Sequence, residues 1–327
     1  MDDSNHIVIG IDGGGTYTRV MICNLSGNVL AYVEGGPASI YKDKQASKNV
    51  QGAISEALLA AGRNVQHVRG VAAGIAGYDT PSDLPWVEEL TDVDGLTCPK
   101  WNFNDAVAAH RGALLAKPGI VAISGTGSIL VAITETGQLL RNYDFHHYSA
   151  SAARFIAYDA IYEILAGNMD HTDEEVRQQM LGHWGVSSFE RFAELARSGF
   201  TEDKQERNRI FGEFAPAITK AALQGSSVAR RVCDRAIDQI KVGIELLGLS
   251  FSEDTVSVAC IGSVINSDYI YSKLTEKLAH GNHKRYTLVK PVLSPAAGAV
   301  LFALNSLGFP LQDDLIRNLQ KSSFSQV

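Results

Sequence analysis

The chain has 327 residues, of which 45% are apolar and 20% are charged, and its formal net charge is −7. This length predicts two domains or one large one, at roughly 100–200 residues per domain, and the composition is that of a globular protein with a sizeable core. The acidic balance, without any run of basic residues, excludes a nonspecific nucleic-acid binder, because contacts to phosphate need clustered Lys and Arg.

The four cysteines, Cys23, Cys98, Cys233 and Cys260, are too far apart for a CxxC metal site, and separate reduced thiols are expected. No apolar run reaches about 18 residues, so no membrane span is predicted. The first six residues lack the basic and apolar regions of a secretory signal. We therefore expect a cytoplasmic protein that does not bind membranes.

The chain opens with three predicted strands, at 6–11, 18–23 and 29–33, which a glycine-rich turn and a polar turn connect. This hairpin and meander argue against a dinucleotide-binding domain, in which a helix follows the first strand at once. The next segments read as a helix over 44–63, a strand over 68–76, a short helix over 86–90, a strand over 101–103 and a helix over 106–115.

The opening pattern returns at residue 120. An apolar strand over 120–124 leads into Gly125-Thr126-Gly127-Ser128, a second strand over 129–133, a turn and a third strand. Two such units suggest a duplicated domain, although two instances also arise by chance in an α/β protein. The rest of the chain predicts an α-rich insertion and a final α/β part, with helices at 151–165, 174–197, 202–223, 228–247, 269–279 and 295–307, strands at 256–261 and 286–291, and a short helix in the last 15 or so residues.

The first chemical motif is Asp12-Gly13-Gly14-Gly15-Thr16, which follows a buried strand and precedes Thr18. Glycines let backbone N–H groups approach a phosphate and accept positive φ, and Thr16 and Thr18 add hydroxyl donors. Asp12 is suited to hold Mg²⁺ through water. The alternative is a tight hairpin that merely needs glycine. A P-loop is not expected, because GxxxxGK[ST] is missing.

The second motif, Gly125-Thr126-Gly127-Ser128, occupies the matching position of the second unit and is suited to wrapping β- and γ-phosphates. Taken alone, it is equally a plain hairpin.

The third motif is Asn104-Asp105, at a strand-to-helix junction. A carboxylate there can accept the proton of an attacking hydroxyl, which is the one proton-transfer step in phosphoryl transfer. The alternative is that Asp105 caps the helix that follows it. A fourth feature, Gly262-Ser263 at the end of a strand, offers backbone against which an adenine can lie, and Pro295-Ala296-Ala297-Gly298-Ala299 has small residues typical of close helix packing.

From about Ile7 to Leu307 the order of the motifs resembles that of the N-acetylglucosamine kinase and BadF/BadG/BcrA/BcrD ATPase family. The order is DGGGT, Ala73 to Asp79 (AGIAGYD), NDA, SGTGS, the late glycine strand end and PAAGA. The resemblance implies two RNase H-like (actin-like ATPase) domains, at 1–118 and 119–310, with an ATP cleft between them, the α-rich insertion in the second domain, and the tail 311–327 packed on the first. It also implies ATP and Mg²⁺ as cofactors, a homodimer, Asp105 as catalytic base, and nucleotide contacts at Asp12, Gly13, Gly14, Gly15, Thr16, Thr18, Gly125, Thr126, Gly127, Ser128, Gly262 and Ser263.

The sequence departs from the family pattern in the segments that bind the sugar. The GGWG…GDEGS stretch of the amino-sugar kinases is replaced by Arg141 to Ala152, and Ser39 stands where the family has Asn. The substrate therefore need not be N-acetylglucosamine, because buried hydrogen-bond partners carry most of a pocket's discrimination. The expected substrate contacts are Ser39, Gly77, Asn104, Asp144, His146 and His147. The two adjacent histidines also raise the alternative of a metal site, although a solvated or substrate-facing loop is favoured.

The function expected from these features is transfer of phosphate from ATP to a hydroxyl of a small sugar, most naturally an amino sugar of the N-acetylglucosamine or glucosamine type, with Asp105 taking the proton. One alternative is a regulatory protein that binds nucleotide or sugar but transfers little or no phosphate, because the usual GDEGS stretch that recognises the sugar is missing. Another is an ATPase activator of a 2-hydroxyacyl-CoA dehydratase, against which the dispersed cysteines speak.

Overall fold

The computed structural model describes residues 5–280 and 283–326, so the N-terminal stretch inspected for a secretory signal lies mostly outside the described residues. The chain divides into two compact units. Unit 1 comprises Met1–Val121 with Lys290–Val327, and unit 2 comprises Ala122–Val289. No helix among the described residues is both long and apolar enough to cross a membrane.

Unit 1 is built on a five-stranded mixed sheet of order β3-β2-β1-β4-β5. Strand β1 pairs antiparallel with β2 and parallel with β4, and β5 continues the parallel side. Its elements are β1 (Ile7–Gly13), β2 (Thr18–Asn24), β3 (Val29–Gly35), α1 (Ala46–Ala60), β4 (Val68–Ile75), α2 (Leu84–Leu90), β5 (Lys100–Asn104), α3 (Asp105–Leu114), α10 (Pro295–Ser306) and α11 (Asp313–Gln320).

Both faces of this sheet are buried, which explains why β1 is an unbroken apolar run rather than an alternating one. Ile7, Ile9 and Ile11 point into the core formed with α1 and α2. Val8, on the other face, packs with α10 and α11. The two apolar layers therefore fix the position of the carboxyl end of β1, where the DGGGT motif begins.

Residues 290–310, which the sequence grouped with the second domain, lie with unit 1 in the structure. Gly298 explains how closely α10 fits there, because a Cβ at this position would lie 2.1 Å from the Ala108 carbonyl oxygen of α3. The tail packs on the same unit: Leu319 is fully buried, and the ring of Phe324 stacks on Tyr32 with centroids 4.5 Å apart.

Unit 2 repeats the sheet order of unit 1, as β10-β9-β6-β7-β8. Its elements are β6 (Gly119–Ser124, whose first residues belong to unit 1), β7 (Ser128–Ile133), β8 (Leu139–Arg141), α4 (Ala153–Leu165), α5 (Glu174–His183), α6 (Phe189–Arg197), α7 (Lys204–Gln224), α8 (Ser227–Gly248), β9 (Thr255–Ile261), α9 (Asp268–Ala279) and β10 (Arg285–Val289).

When each sheet is numbered along its own part of the chain, both have the order 3-2-1-4-5. The echo that the sequence predicts at residues 6 and 120 is thus a repeat of topology. The predicted α/β class with two RNase H-like units and an α-rich insertion, α4 to α8, is confirmed. One predicted helix, 174–197, is instead two helices: Gly185 has φ +65°, and the Ser188 hydroxyl caps α6 by accepting from the Arg191 N–H at 3.3 Å.

Candidate active site

Asp12 lies at the carboxyl end of β1, buried and directly opposite Arg19 of β2. The Arg19 guanidinium donates to the Asp12 carboxylate at 3.1 Å and to Glu34 at 3.2 Å. Burial raises the pKa of Asp12, and the charge and hydrogen bond of Arg19 oppose that rise. Arg19 therefore favours the ionised form of a carboxylate that burial alone would neutralise.

The DGGGT motif forms the hairpin between β1 and β2, closed by the Gly14 N–H, which donates to the Tyr17 carbonyl at 2.9 Å. The expectation that these glycines adopt positive φ is wrong, since Gly13, Gly14 and Gly15 are outside the positive-φ set. Gly13 is required by space instead: a Cβ would lie 2.6 Å from Ile75 Cδ1. Thr16 is exposed, whereas Thr18 is fully buried. The Thr18 hydroxyl donates to the Gly36 carbonyl at 2.7 Å and so joins the start of β2 to the residue after β3.

Asp105 is the first residue of α3, directly after β5. The cap of this helix is Asn104, whose side-chain oxygen accepts from the Ala106 N–H at 3.0 Å. Asp105 reaches the sheet because Gly74, which pairs with Asp12, has no side chain: a Cβ there would lie 3.3 Å from the Asp105 Cα. Burial raises the pKa of Asp105 to about 7, and the charge of Asp12 adds to the rise.

Three of the predicted substrate contacts lie beside Asp105 in unit 1. The Asn104 amide donates to the Tyr78 carbonyl at 3.2 Å and to the Asp79 carboxylate at 3.1 Å. Gly77 has φ +87°, and a Cβ there would lie 3.5 Å from the Ser39 hydroxyl and 3.2 Å from the Tyr41 ring. Ser39, Gly77 and Asn104 thus lie at or just after the carboxyl ends of β3, β4 and β5.

In unit 2 the structure brings the second hairpin and the β9 turn together. Gly262 has φ +109°, and a Cβ there would lie 2.4 Å from the Ser124 carbonyl oxygen. That oxygen accepts from the Val264 and Ile265 N–H groups, both at 3.1 Å. A Cβ at Gly125 would lie 3.6 Å from the Ser263 nitrogen. The sequence-predicted contacts at 125–128 and 262–263 therefore form one surface.

The two hairpins have features that fit phosphate. Across the described residues, the N–H groups of Gly15 and Thr16 have no hydrogen-bond partner. The same holds, within the described part of unit 2, for the N–H groups of Thr126 and Gly127. Such free donors on glycine-rich turns are typical anion ligands. The stem of exposed Lys42 passes 3.6 Å from the Cβ position of Gly15 and adds a positive charge to the first hairpin.

The replaced stretch 141–152 uses several of its polar groups internally. Asp144 accepts from the Arg141 N–H at 2.7 Å and pairs with its guanidinium at 3.0 Å, closing a 3-10 helix over Asn142–Phe145. The His147 ring packs on α8, 3.2 Å from the Cβ position of Gly243, and burial lowers its pKa. His146 is exposed with φ +55°. The structure gives Asp144 and His147 roles in holding the loop.

Among the described residues, no group of three or more His, Cys, Asp or Glu side chains forms a metal cage. Asp12 and the hairpin donors nevertheless fit Mg²⁺ with a bound phosphate, since Mg²⁺ is usually held by one or two carboxylates, phosphate oxygens and water. The thiols of Cys23, Cys233 and Cys260 are buried, and burial raises the pKa of each. Buried, protonated thiols do not suit cluster ligation.

Sequence reasoning missed Arg19, Lys42 and Asp79. The hairpin register was the available signal for Arg19, because a turn that pairs Gly13 with Thr18 necessarily places Arg19 opposite Asp12. No local pattern indicated Lys42, since its approach to Gly15 depends on the loop after β3.

Known proteins with similar sequences cover nearly the whole chain. The N-acetylmuramic acid/N-acetylglucosamine kinase of Clostridium acetobutylicum is 25% identical over 90% of this chain and 97% of its own length. The N-acetyl-D-glucosamine kinase of Dictyostelium discoideum is 25% identical over 93% of this chain and 99% of its own.

The fold matches a solved structure as well. A candidate N-acetylglucosamine kinase from Chromobacterium violaceum superposes with a TM-score of 0.70 at 21% identity, covering 90% of this chain and 98% of that one. The model of the BadF/BadG/BcrA/BcrD ATPase family matches residues 9–303. The chain therefore belongs to the BadF/BadG/BcrA/BcrD ATPase family.

Proposed function

We propose that the protein transfers the γ-phosphoryl group of ATP to a hydroxyl of a small sugar, most naturally an amino sugar. The observation that carries this proposal is Asp105: a carboxylate with a pKa of about 7, at a helix start beside the DGGGT hairpin. Family membership supports ATP as the donor, and the names of the relatives support a sugar as the acceptor.

In the proposed step, the Asp105 carboxylate accepts the proton of the sugar hydroxyl as its oxygen bonds to the γ-phosphorus. The bond from that phosphorus to the β–γ bridging oxygen breaks, and ADP leaves. A base with a pKa near the working pH combines a usable ionised fraction with adequate proton affinity. The proton then passes from Asp105 to solvent.

The two hairpins would bind the phosphates of ATP through the free N–H groups of Gly15, Thr16, Thr126 and Gly127, and Lys42 would add charge. Mg²⁺, held through water by Asp12, would supply positive charge to the transferring phosphoryl group. Arg19 favours the ionised form of Asp12 that this role needs. The surface around Gly262 and Ser263 would receive the adenosine.

Substrate recognition would rest on the loops around Asp105. Ser39 and Asn104 offer polar groups there, and Gly77 leaves room beside them. The relatives' names favour an acceptor of the amino-sugar class. Since Asp144 is engaged within its own loop and the His147 ring packs on α8, we place less of the recognition on them and expect a specificity different from that for N-acetylglucosamine. A cytoplasmic homodimer remains the expected form.

The test is a coupled ADP-release assay with Mg-ATP and a panel of glucosamine, N-acetylglucosamine, N-acetylmuramic acid, N-acetylmannosamine, kanosamine and glucose. We expect rapid release with at least one sugar, abolished in Asp105→Asn. Asp92→Asn is the matched control, because its side chain is 83% exposed and its carboxylate lies 3.9 Å from the Lys100 ammonium. Full activity of Asp105→Asn would overturn the assignment of the base.

The second candidate is a regulatory protein that binds the same ligands without efficient transfer. The contacts of Asp144 with Arg141 and of His147 with α8 favour this candidate. A loop whose polar groups bind no sugar hydroxyl does not help to position the acceptor. ATP binding by calorimetry, together with silence across the whole sugar panel, would select this candidate over the kinase.

A further inference from the structure

The helical part of unit 2 contains an open cavity of about 720 Å³ that the proposed reaction does not use. Its walls are the second half of α4, the end of α6 with the loop after it, and the first turn of α7. Tyr158 and Tyr162 come from α4, Phe200 from the loop, and Arg197, Lys204 and Arg207 from α6 and α7. At 1.5 Å per residue, Tyr162 is about 13 Å along α4 from Ala153, which contacts the second hairpin.

The charge of the cavity is opposite to that of the chain. It is lined by Arg197, Lys204 and Arg207 and by no Asp or Glu, in a protein of net charge −7. Within the described residues, none of these three cations forms an ion pair, whereas Arg191 on α6 pairs with Glu194 at 2.9 Å. Arg191 and Arg209, which do not line the cavity, are thus paired, whereas among the described residues Arg197 and Arg207, which line it, form no ion pair.

Two carboxylates near the start of α7 make contacts outside the cavity. Asp203 caps α7 by accepting from the Glu206 N–H at 2.7 Å, and Glu206 pairs with Arg209 at 2.6 Å, one turn beyond the cavity. Arg207 is held in place, because its guanidinium donates to the Thr201 carbonyl at 2.9 Å. Because no carboxylate lines the cavity and Arg207 is held in position, the local positive charge favours an anion.

The aromatic side of the cavity is also fixed. The Tyr158 ring stacks on Phe211 at 3.9 Å, and its hydroxyl donates to Asn208 at 3.3 Å. Phe200 packs edge-on against Phe211 at 4.8 Å, although its φ of +65° is unusual for a large side chain. Tyr162 leaves about half of its side chain exposed beside Tyr158. Rigid aromatic faces beside cations suit a ring that carries a charged group.

We propose that this cavity is a second binding site, for a small phosphate monoester carried on a ring, either a sugar phosphate or a nucleoside monophosphate. The ring lies on Tyr158, Tyr162 and Phe200, and the phosphate contacts Arg197, Lys204 and Arg207. The inference does not depend on the proposed phosphoryl transfer.

The test reads binding at the cavity itself. Trp184 packs against Phe200 with centroids 5.9 Å apart, so its fluorescence reports on the cavity wall once Trp86 and Trp101, the other two tryptophans, are replaced by Phe. Glucosamine 6-phosphate, AMP and inorganic phosphate are titrated in turn, without ATP. Circular dichroism checks that each variant is folded.

We expect at least one ring phosphate to change Trp184 emission saturably, and Arg197→Gln/Lys204→Gln to weaken that binding by about tenfold or more. The matched control, Arg191→Gln/Arg209→Gln, removes the same charge from the same two helices outside the cavity and should bind as the parent does. Preference for glucosamine 6-phosphate identifies a sugar-phosphate site, and preference for AMP a nucleotide site. Unchanged affinity in the cavity variant, no response to either ring compound, or equal affinity for inorganic phosphate would overturn the proposal.

Discussion

Asp12 and Asp105 share the carboxyl edge of one sheet, and their surroundings separate their chemistry. Arg19 donates to Asp12 at 3.1 Å and favours its charged form. Among the residues that the structure describes, no such cation acts on Asp105, and burial together with the charge of Asp12 raises its pKa to about 7. Burial raises the pKa of both carboxylates, but Arg19 opposes the rise at Asp12, so the two are suited to different roles, here charge for a metal and proton acceptance.

The raised pKa of Asp105 predicts an acid limb in the pH profile. The base must be ionised, so kcat/KM for the sugar should fall about tenfold per pH unit below about pH 7. The assay uses a sugar without a free amine, so that the substrate itself does not change its charge over the pH range. A flat profile down to pH 5 would contradict the role of Asp105.

The same shift predicts that Asp105→Asn stabilises the protein. A carboxyl whose pKa is raised on folding binds more protons folded than unfolded between its ordinary pKa and about 7, so its contribution to stability falls as pH rises through that window. At pH 8 the neutral amide should therefore increase the free energy of unfolding, by about 2 kcal/mol after allowance for partial exposure. Denaturant unfolding at pH 8 and pH 4.5 measures this. The gain should shrink at the lower pH, and an equal gain at both would point to another cause.

At the scale of elements, the packing of α10 on α3 holds Asp105 in place through the helix that bears it. Gly298 has no room for a Cβ, which would lie 2.1 Å from the Ala108 carbonyl oxygen and 2.5 Å from the Gly112 nitrogen. Both neighbours are backbone atoms, so the helices themselves would have to move apart.

Gly298→Ala should therefore destabilise the protein by about 3 kcal/mol, because overpacking against backbone is costly. The matched control is Gly52→Ala on α1, where nothing lies within 4 Å of the new Cβ. There we expect a gain of about 0.5–1 kcal/mol from helix propensity alone. Chemical denaturation of both variants measures the contrast, and a neutral Gly298→Ala would show that the two helices are not closely packed.

Most elements of this chain were predictable because local signals agree with the fold. The apolar run 7–11 and the hairpin glycines indicate buried strands and a turn, and Asn104 marks the start of α3. The break at 184–188 was missed because aromatic spacing continues across it, while the left-handed Gly185 ends α5. The long-range placement of 290–310 was also missed, since contacts between α10 and α3 join residues far apart in the sequence.

At the scale of the whole molecule, two sheets of the same order each carry a glycine hairpin after the first strand. The sequence echo predicted the first three strands of each unit, but not the places that the later strands take in the two sheets. The candidate-site residues that lie within sequence motifs were predictable, namely Asp12, Asn104, Asp105 and the two hairpins. The position of Arg19 depends on the pairing register of β1 and β2, and that of Lys42 on the course of the loop after β3. No motif encodes the contact of Asp144 with Arg141 or that of His147 with α8.

Nucleotide binding should stabilise the whole protein by mass action, by about 2.7 kcal/mol at a hundredfold excess of Mg-ATP over its Kd. Gly127→Val should remove that gain without harming the apoprotein, because a Cβ at Gly127 meets nothing within 4 Å. Thermal unfolding with and without Mg-ATP measures both effects. Retained stabilisation by Mg-ATP in Gly127→Val would exclude the second hairpin from the nucleotide site.

The central claim is that Asp105 activates a sugar hydroxyl for attack on ATP. The most direct measurement is phosphorus NMR of wild type and Asp105→Asn incubated with Mg-ATP and the responding sugar. We expect a new phosphate monoester with the wild type, and neither the ester nor free phosphate with Asp105→Asn, although this variant still binds ATP. Formation of the same ester by Asp105→Asn, at a rate near that of the wild type, would contradict the assignment.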